Sequence, residues 1–161
     1  MDTVRTILSK PTAMDEDAIF SLQSNEKTRE YLGGPVTKEE FPEKFKSILD
    51  VKAPESYWVV WQKETHALIG FVCITKYHDQ IHYEVSYELD PKFWGSGYGT
   101  EIIEKVIEHG FENLGLEEIY AETQKKNIAS IKLLEKVGMH YQSEIERFGE
   151  KQVVYSIKRD K

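Results

Sequence analysis

The sequence predicts a mixed α/β (α+β) fold, with a central, mostly antiparallel twisted sheet of about seven strands flanked by about four helices. Three observations carry this expectation. Residues 56–62, 67–77 and 81–90 (SYWVVWQ, ALIGFVCITKY, IHYEVSYELD) are aromatic and β-branched runs joined by the turn-like KETH and HDQ, the pattern of an antiparallel meander. Beyond them Ile102, Ile103, Val106, Ile107, Phe111 and Leu114 recur at helical spacing and form one apolar stripe. The remaining segments alternate between strand and helix patterns, giving the order β-α-α-β-β-β-α-β-α-β-β.

Residues 3–8 (TVRTIL) read as the first strand. Residues 14–24 carry acidic side chains early and Ile19, Phe20 and Leu22 later, as a short helix does. Gly33, Gly34 and Pro35 mark a loop over 28–37. A second helix covers roughly 38–49. Its start is ambiguous, because Thr37 with Glu40 resembles a capping box whereas Pro42 favours the first turn. In the third meander run Tyr83, Val85, Tyr87 and Leu89 alternate with His82, Glu84, Ser86 and Glu88, which places Glu84 on the face opposite the hydrophobic set. The striped helix should end near Gly115. Residues 117–123 then read as a strand, and 128–137 as a helix with Asn127 as N-cap and Gly138 as its stop. Two strands, about 139–147 and 151–158, close the chain around a turn at Gly149.

The 161 residues suit a single domain over 1–161, with no linker, repeat or low-complexity tract. No apolar run is long enough to span a bilayer, and the start MDTVRTILSKP lacks the apolar core of a secretory signal. Cys73 is the only cysteine; it allows no internal disulfide, suits a reducing cytoplasm, and reads as a core residue within GFVCI. A formal net charge of −7 argues against nucleic acid as a partner. The same charge suits a soluble surface and would steer cationic substrates.

Residues 92–102, KFWGSGYGTEI, place Gly95, Gly97 and Gly99 between a strand and a helix. Glycine there lets the backbone take positive φ and lets a ligand approach the amides. The first N–H groups of a helix have no internal partner, and with the helix dipole they form an anion site. The stretch Trp94, Gly95, Ser96, Gly97, Tyr98, Gly99 and Thr100 therefore reads as a cradle for a pyrophosphate. It lacks the Gly-Lys-Ser/Thr of a nucleotide P-loop, and its Gly-x-Gly-x-Gly differs from the dinucleotide fingerprint.

The stretch ELDPKFWGSGYGTEIIEKVIEHGF, followed by NIASIKLLEKVGM, resembles the acetyl-CoA-binding core of the GNAT superfamily of N-acetyltransferases. The similarity is to the branch that includes ribosomal-protein N-terminal acetyltransferases. The family's cradle, Gln or Arg followed after two residues by Gly-x-Gly/Ala, maps onto Trp94, Gly97 and Gly99, with Trp94 departing from the pattern. The family's Asn-x-x-Ser and Glu-Lys-x-Gly map onto Asn127, Ser130, Glu135, Lys136 and Gly138, with Met139 in place of an aromatic residue.

This resemblance implies a GNAT-like sheet, acetyl-CoA as cosubstrate with no metal, and direct acetyl transfer to a primary amine. The acceptor would be a protein N-terminus or a small amine. A thioester is already activated, so no enzyme nucleophile is needed. The amine, with a pKa of about 10.4 for a lysine-like group, needs a base. Glu84, in a family-like Glu-x-x-Tyr with Tyr87, is the candidate, and His82 the weaker alternative. Ser130 matches the branch's proton donor to the thiolate, with Tyr141 as a spare. The resemblance also assigns the amides of Tyr87 and Leu89, and Asn127, to the pantetheine arm. Lys125, Lys126 and Lys132 are basic residues that could face the 3′-phosphate. The competing reading is a CoA-binding sensor without turnover, and the remoter one a dinucleotide-binding fold.

Overall fold

The computed structural model describes residues 1–160 and contains seven strands and four α-helices. The strands are β1 (Thr6–Ser9), β2 (Ser56–Gln62), β3 (Leu68–Lys76), β4 (Tyr83–Leu89), β5 (Glu118–Gln124), β6 (His140–Arg147) and β7 (Glu150–Lys158). The helices are α1 (Glu16–Gln23), α2 (Phe41–Leu49), α3 (Tyr98–Glu112) and α4 (Ile128–Lys136). The element order is the one expected from the sequence. The strands form one sheet in the order β1-β2-β3-β4-β5-β7-β6. β1 runs antiparallel to β2, and β7 antiparallel to both β5 and β6. β4 and β5 are parallel, with Tyr83 opposite Ile119 and Glu84 opposite Tyr120. Val85 and Ser86 carry β4 past that last registered pair.

Element starts differ from expectation where side chains cap the backbone. The first strand begins at Thr6 rather than residue 3, because the Thr3 hydroxyl accepts the Thr6 N–H at 2.9 Å and turns the chain. Residue 1 then lies beside Leu8, whose N–H donates to the Met1 carbonyl at 2.8 Å. Before α1, the Asp15 carboxylate accepts the Thr12 N–H at 2.7 Å and closes a 3-10 turn over Ala13–Asp15. Both start signals of the second helix are used. The Thr37 N–H donates to the Glu40 carboxylate at 3.1 Å in a turn before the helix, and Pro42 then fills the first turn of α2.

The chain divides into two compact units. One comprises Met1–Cys73 with Tyr87–Tyr98; the other comprises Ile74–Ser86 with the residues from Gly99 on. In the first, Ile19, Leu22, Phe41, Phe45, Ile48, Val59 and Phe71 are buried together. Phe41 lies with its ring 4.9 Å from Phe20 and 5.5 Å from Phe45. In the second, the apolar stripe of α3 is buried through Ile102, Ile103, Val106 and Ile107, along with Ile119, Leu134, Met139, Val153 and Val154. Gly110 permits this packing: a Cβ there would come within 2.6 Å of Ile119 Cδ1. Cys73 is half-buried rather than a full core residue.

Candidate active site

β4 runs into a 3-10 turn over Pro91–Phe93, where the Asp90 side chain accepts the Lys92 N–H at 2.9 Å. The chain then passes through Trp94–Gly97 and enters α3 at Tyr98. Gly95 and Gly97 have φ of +72° and +80°, the left-handed region that side chains disfavour. Gly95, Ser96 and Gly97 are exposed, and Gly99 and Thr100 continue half-buried into the first helical turn. The first N–H groups of α3 thus follow an exposed glycine loop, at the positive end of a fifteen-residue helix. These features fit a diphosphate.

The first unit fixes this loop with groups that the sequence did not point to. Arg5 Nη1 donates to the Ser96 carbonyl at 2.9 Å, and its guanidinium lies 4.0 Å from the Tyr98 ring centroid. A Cβ on Gly97 would stand 3.4 Å from Arg5 Nη2. Arg5 thus places its guanidinium at the cradle. Tyr98 is buried; its hydroxyl accepts Gln62 Nε2–H at 2.7 Å, and its ring meets Phe93 edge-on at 5.5 Å. Trp58 is buried, but Trp94 is 45% exposed. The Trp94 indole N–H donates to the Leu89 carbonyl at 2.9 Å, and Lys27 Nζ lies 5.5 Å from its ring. Trp94 therefore closes the loop onto the end of β4 through an indole that neither Gln nor Arg would supply. Tyr87 and Leu89 are half-buried on β4.

Glu88 and Glu84 alternate on β4 yet differ in kind. Glu88 is bonded to Arg29, and its side chain is 11% exposed. Arg29 also donates from Nε to the Gly34 carbonyl and from Nη2 to the Leu32 carbonyl, each at 2.6 Å. The loop of Gly33 and Gly34 is thereby tied to β4 within this unit.

Glu84 lies in the second unit. Among the described residues no hydrogen-bond donor reaches its carboxylate. Its pKa is pushed up to about 7, chiefly by burial and also by the nearby Glu122 carboxylate, with Arg147 offsetting part of the rise. On β5, Glu118, Tyr120 and Glu122 share one face by strand alternation. Tyr120 is the register partner of Glu84. Glu122 accepts the Tyr77 hydroxyl at 2.9 Å and Arg147 Nη1 at 3.1 and 3.2 Å, with His78 Nε2 3.5 Å away. The Tyr77 ring stacks on Tyr120 at 5.3 Å. Burial pushes the Tyr77 hydroxyl well above its usual range, and its bond to Glu122 adds to this. His82 binds the Asp79 carboxylate at 2.6 Å and sets its ring edge-on to Tyr120 at 4.4 Å. Its imidazole is thus already engaged.

Asn127 is the N-cap of α4, its side-chain oxygen accepting the Ser130 N–H at 3.2 Å. Ser130 stands half-buried in that first turn. Lys125 and Lys126 pair with Glu144 at 2.6 Å and Glu150 at 2.7 Å, so neither presents an isolated charge to a phosphate. Tyr141 is exposed on β6. Among the described residues no group of three His, Cys, Asp or Glu side chains is placed to hold a metal ion. None of the described helices is long and apolar enough to cross a membrane.

Sequence reasoning missed Arg5, Tyr77, Glu122 and Arg147. For Glu122 the alternation in EIYAETQ was a usable signal, since it places that carboxylate beside Tyr120 on one face.

A family model described as an acetyltransferase (GNAT) domain matches residues 5–140. An uncharacterized N-acetyltransferase of Bacillus subtilis, YoaA, is 31% identical over 157 residues, covering 92% of this chain and 86% of that protein. Two solved structures share the fold. A spermidine N-acetyltransferase from Vibrio cholerae, in complex with CoA and spermine, superposes with a TM-score of 0.82 at 21% identity, covering 96% of this chain and 95% of its own. A ribosomal-protein-S5-alanine acetyltransferase from Vibrio fischeri gives 0.84 at 18% identity, covering 99% of this chain and 96% of its own.

Proposed function

The chain belongs to the GNAT acetyltransferase family and is an acetyl-CoA-dependent N-acetyltransferase; we propose that its acceptor is a primary amine and that Glu84 is the general base. The observation that carries this reading is the half-buried Glu84 carboxyl, without a donor among the described residues and with its pKa raised to about 7.

Acetyl-CoA, when bound, supplies an acyl group already activated as a thioester. The residues that would hold it are the amides from Gly95 to Thr100 with the Arg5 guanidinium beside them, the strand amides of Tyr87 and Leu89, and Asn127. In that role Asn127 would act through its amide N–H groups, because its oxygen caps α4. Glu84 takes the proton from the acceptor ammonium and leaves the nitrogen lone pair free. The Ser130 hydroxyl donates towards the departing sulfur, whose free-thiol pKa is about 8.5. A base of about 7 is closely matched to an α-ammonium of about 7.7–8.0 and poorly to a lysine-like ammonium of about 10.4, which favours an α-amino acceptor.

Thiol release from acetyl-CoA, measured against peptides with free N-termini, amino acids, polyamines and aminoglycosides, tests the acceptor. Turnover on one class, with Glu84→Gln reducing kcat most near neutral pH, is the expected result. Steady CoA binding without turnover on any amine would return the reading to a sensor. An undiminished Glu84→Gln enzyme would remove Glu84 from the mechanism.

A further inference from the structure

The two carboxylates on the face shared by β4 and β5 have unequal surroundings. Glu122 is 6% exposed, and its oxygens accept from Tyr77 and from Arg147. A carboxylate so bonded is held in place. Among the described residues Glu84 has no donor of its own. It stands opposite Tyr120, two residues before Glu122 on the same face, so the fixed carboxylate lies diagonally across from it.

We propose that Glu122, clamped by Tyr77 and Arg147, is a positioning residue for acetyl transfer: a fixed anion that sets how readily Glu84 takes up and releases its proton. The inference rests on the reading of Glu84 as the base. Arg147 plays the opposing part. It reaches across from the end of β6 to Glu122, is 30% exposed, and its charge offsets part of the anion's effect on Glu84.

The groups around Glu84 are spread over several elements. Glu122, Tyr120 and Glu118 come from β5, and Arg147 from β6. Tyr77 and His78 follow β3, and Asp79 and His82 precede β4. Of these, Asp79 is bound to His82, and His78 approaches Glu122 rather than Glu84. The arrangement implies a signature that a purely structural cluster would not give. Removing the anion and removing the cation should move Glu84 in opposite directions.

The test follows Glu84 directly in the cofactor-free protein, by NMR of carbon-labelled glutamate carboxyls, with the Glu84 signal assigned by its loss in Glu84→Gln. In Glu122→Gln the Glu84 midpoint should fall by about half a pH unit or more, and in Arg147→Met it should rise by a similar amount. Glu122→Asp, which keeps the charge, should lie nearer the parent than Glu122→Gln. Midpoints that stay put, or that move in the same direction in the Gln and Met variants, overturn the inference. Should Glu122→Gln fail to fold, the partly exposed Arg147 decides alone, since an unmoved or lowered midpoint in Arg147→Met refutes it. The acid limb of kcat/KM, measured in parallel, addresses the other reading. If the NMR midpoints shift as expected and the kinetic limb does not follow, the positioning role of Glu122 stands and Glu84 is not the base.

Discussion

Replacing Glu84 by Gln should change how stability depends on pH, even without a substrate. The folded carboxyl titrates at about 7 against an ordinary 4.5, chiefly because burial penalises its charge. The folded state therefore binds a proton that the unfolded state has already lost over this window. The stabilisation is fully present below 4.5 and is lost as pH rises through about 7. At about 1.4 kcal/mol per pH unit, the ceiling on that loss is about 3 kcal/mol, and solvent reaching a half-buried side chain reduces it to about 1–3 kcal/mol. Gln has the same shape and carries no such loss. Urea unfolding of both proteins without acetyl-CoA, at about pH 5 and about pH 8.5, should show the variant gaining on the parent by that amount at the higher pH. Working with the difference between the two proteins cancels the titrating groups that do not interact with Glu84. An identical difference at both pH values would mean that Glu84 is ionised in the folded protein throughout and is not a base poised near neutrality.

Three further outcomes bear on the cradle. Gly97→Glu places a side chain at φ +80° and an anion beside Arg5, so CoA affinity measured by calorimetry should fall by more than about tenfold while far-UV circular dichroism persists. Retained affinity would contradict the diphosphate assignment. Arg5→Met removes the Ser96 bond and the charge; CoA binding should weaken by about tenfold, and the deficit should shrink at high salt. A deficit independent of salt would reduce Arg5 to a structural brace. Asn127→Ala loses the α4 cap and should cost about 1 kcal/mol in denaturant unfolding. An unchanged CoA affinity in that variant would restrict Asn127 to capping.

The elements were legible because each carries a periodic signal within its own segment. Strand alternation in IHYEVSYELD put Glu84 and Glu88 on one face, and the spacing of Ile102, Ile103, Val106 and Ile107 gave α3. The cradle was legible for the same reason, its three glycines falling within five residues of chain and two of them lying at positive φ. Residues that meet only through tertiary structure were not. Nothing around Arg5 indicates a partner at Ser96, ninety-one residues later. Register decides that Glu84 faces Tyr120 and so approaches Glu122, and a single sequence does not state the register of two parallel strands. Likewise the lysines after β5 looked available until Glu144 and Glu150 were brought beside them. Glu88 shows the converse: its pattern matched that of Glu84, and only the pairing with Arg29 separates their roles.

The reach of Arg5 from the residue before β1 to the Ser96 carbonyl ties occupancy of the cradle to a distant edge of the sheet. Fraying of β1 would withdraw the guanidinium and slacken the glycine loop, so only molecules with that edge closed bind with full strength. By linkage, ligand binding must in turn suppress the fraying. Amide hydrogens of Ile7 and Leu8 should therefore exchange more slowly when CoA is present, which makes the first strand a reporter of cofactor load.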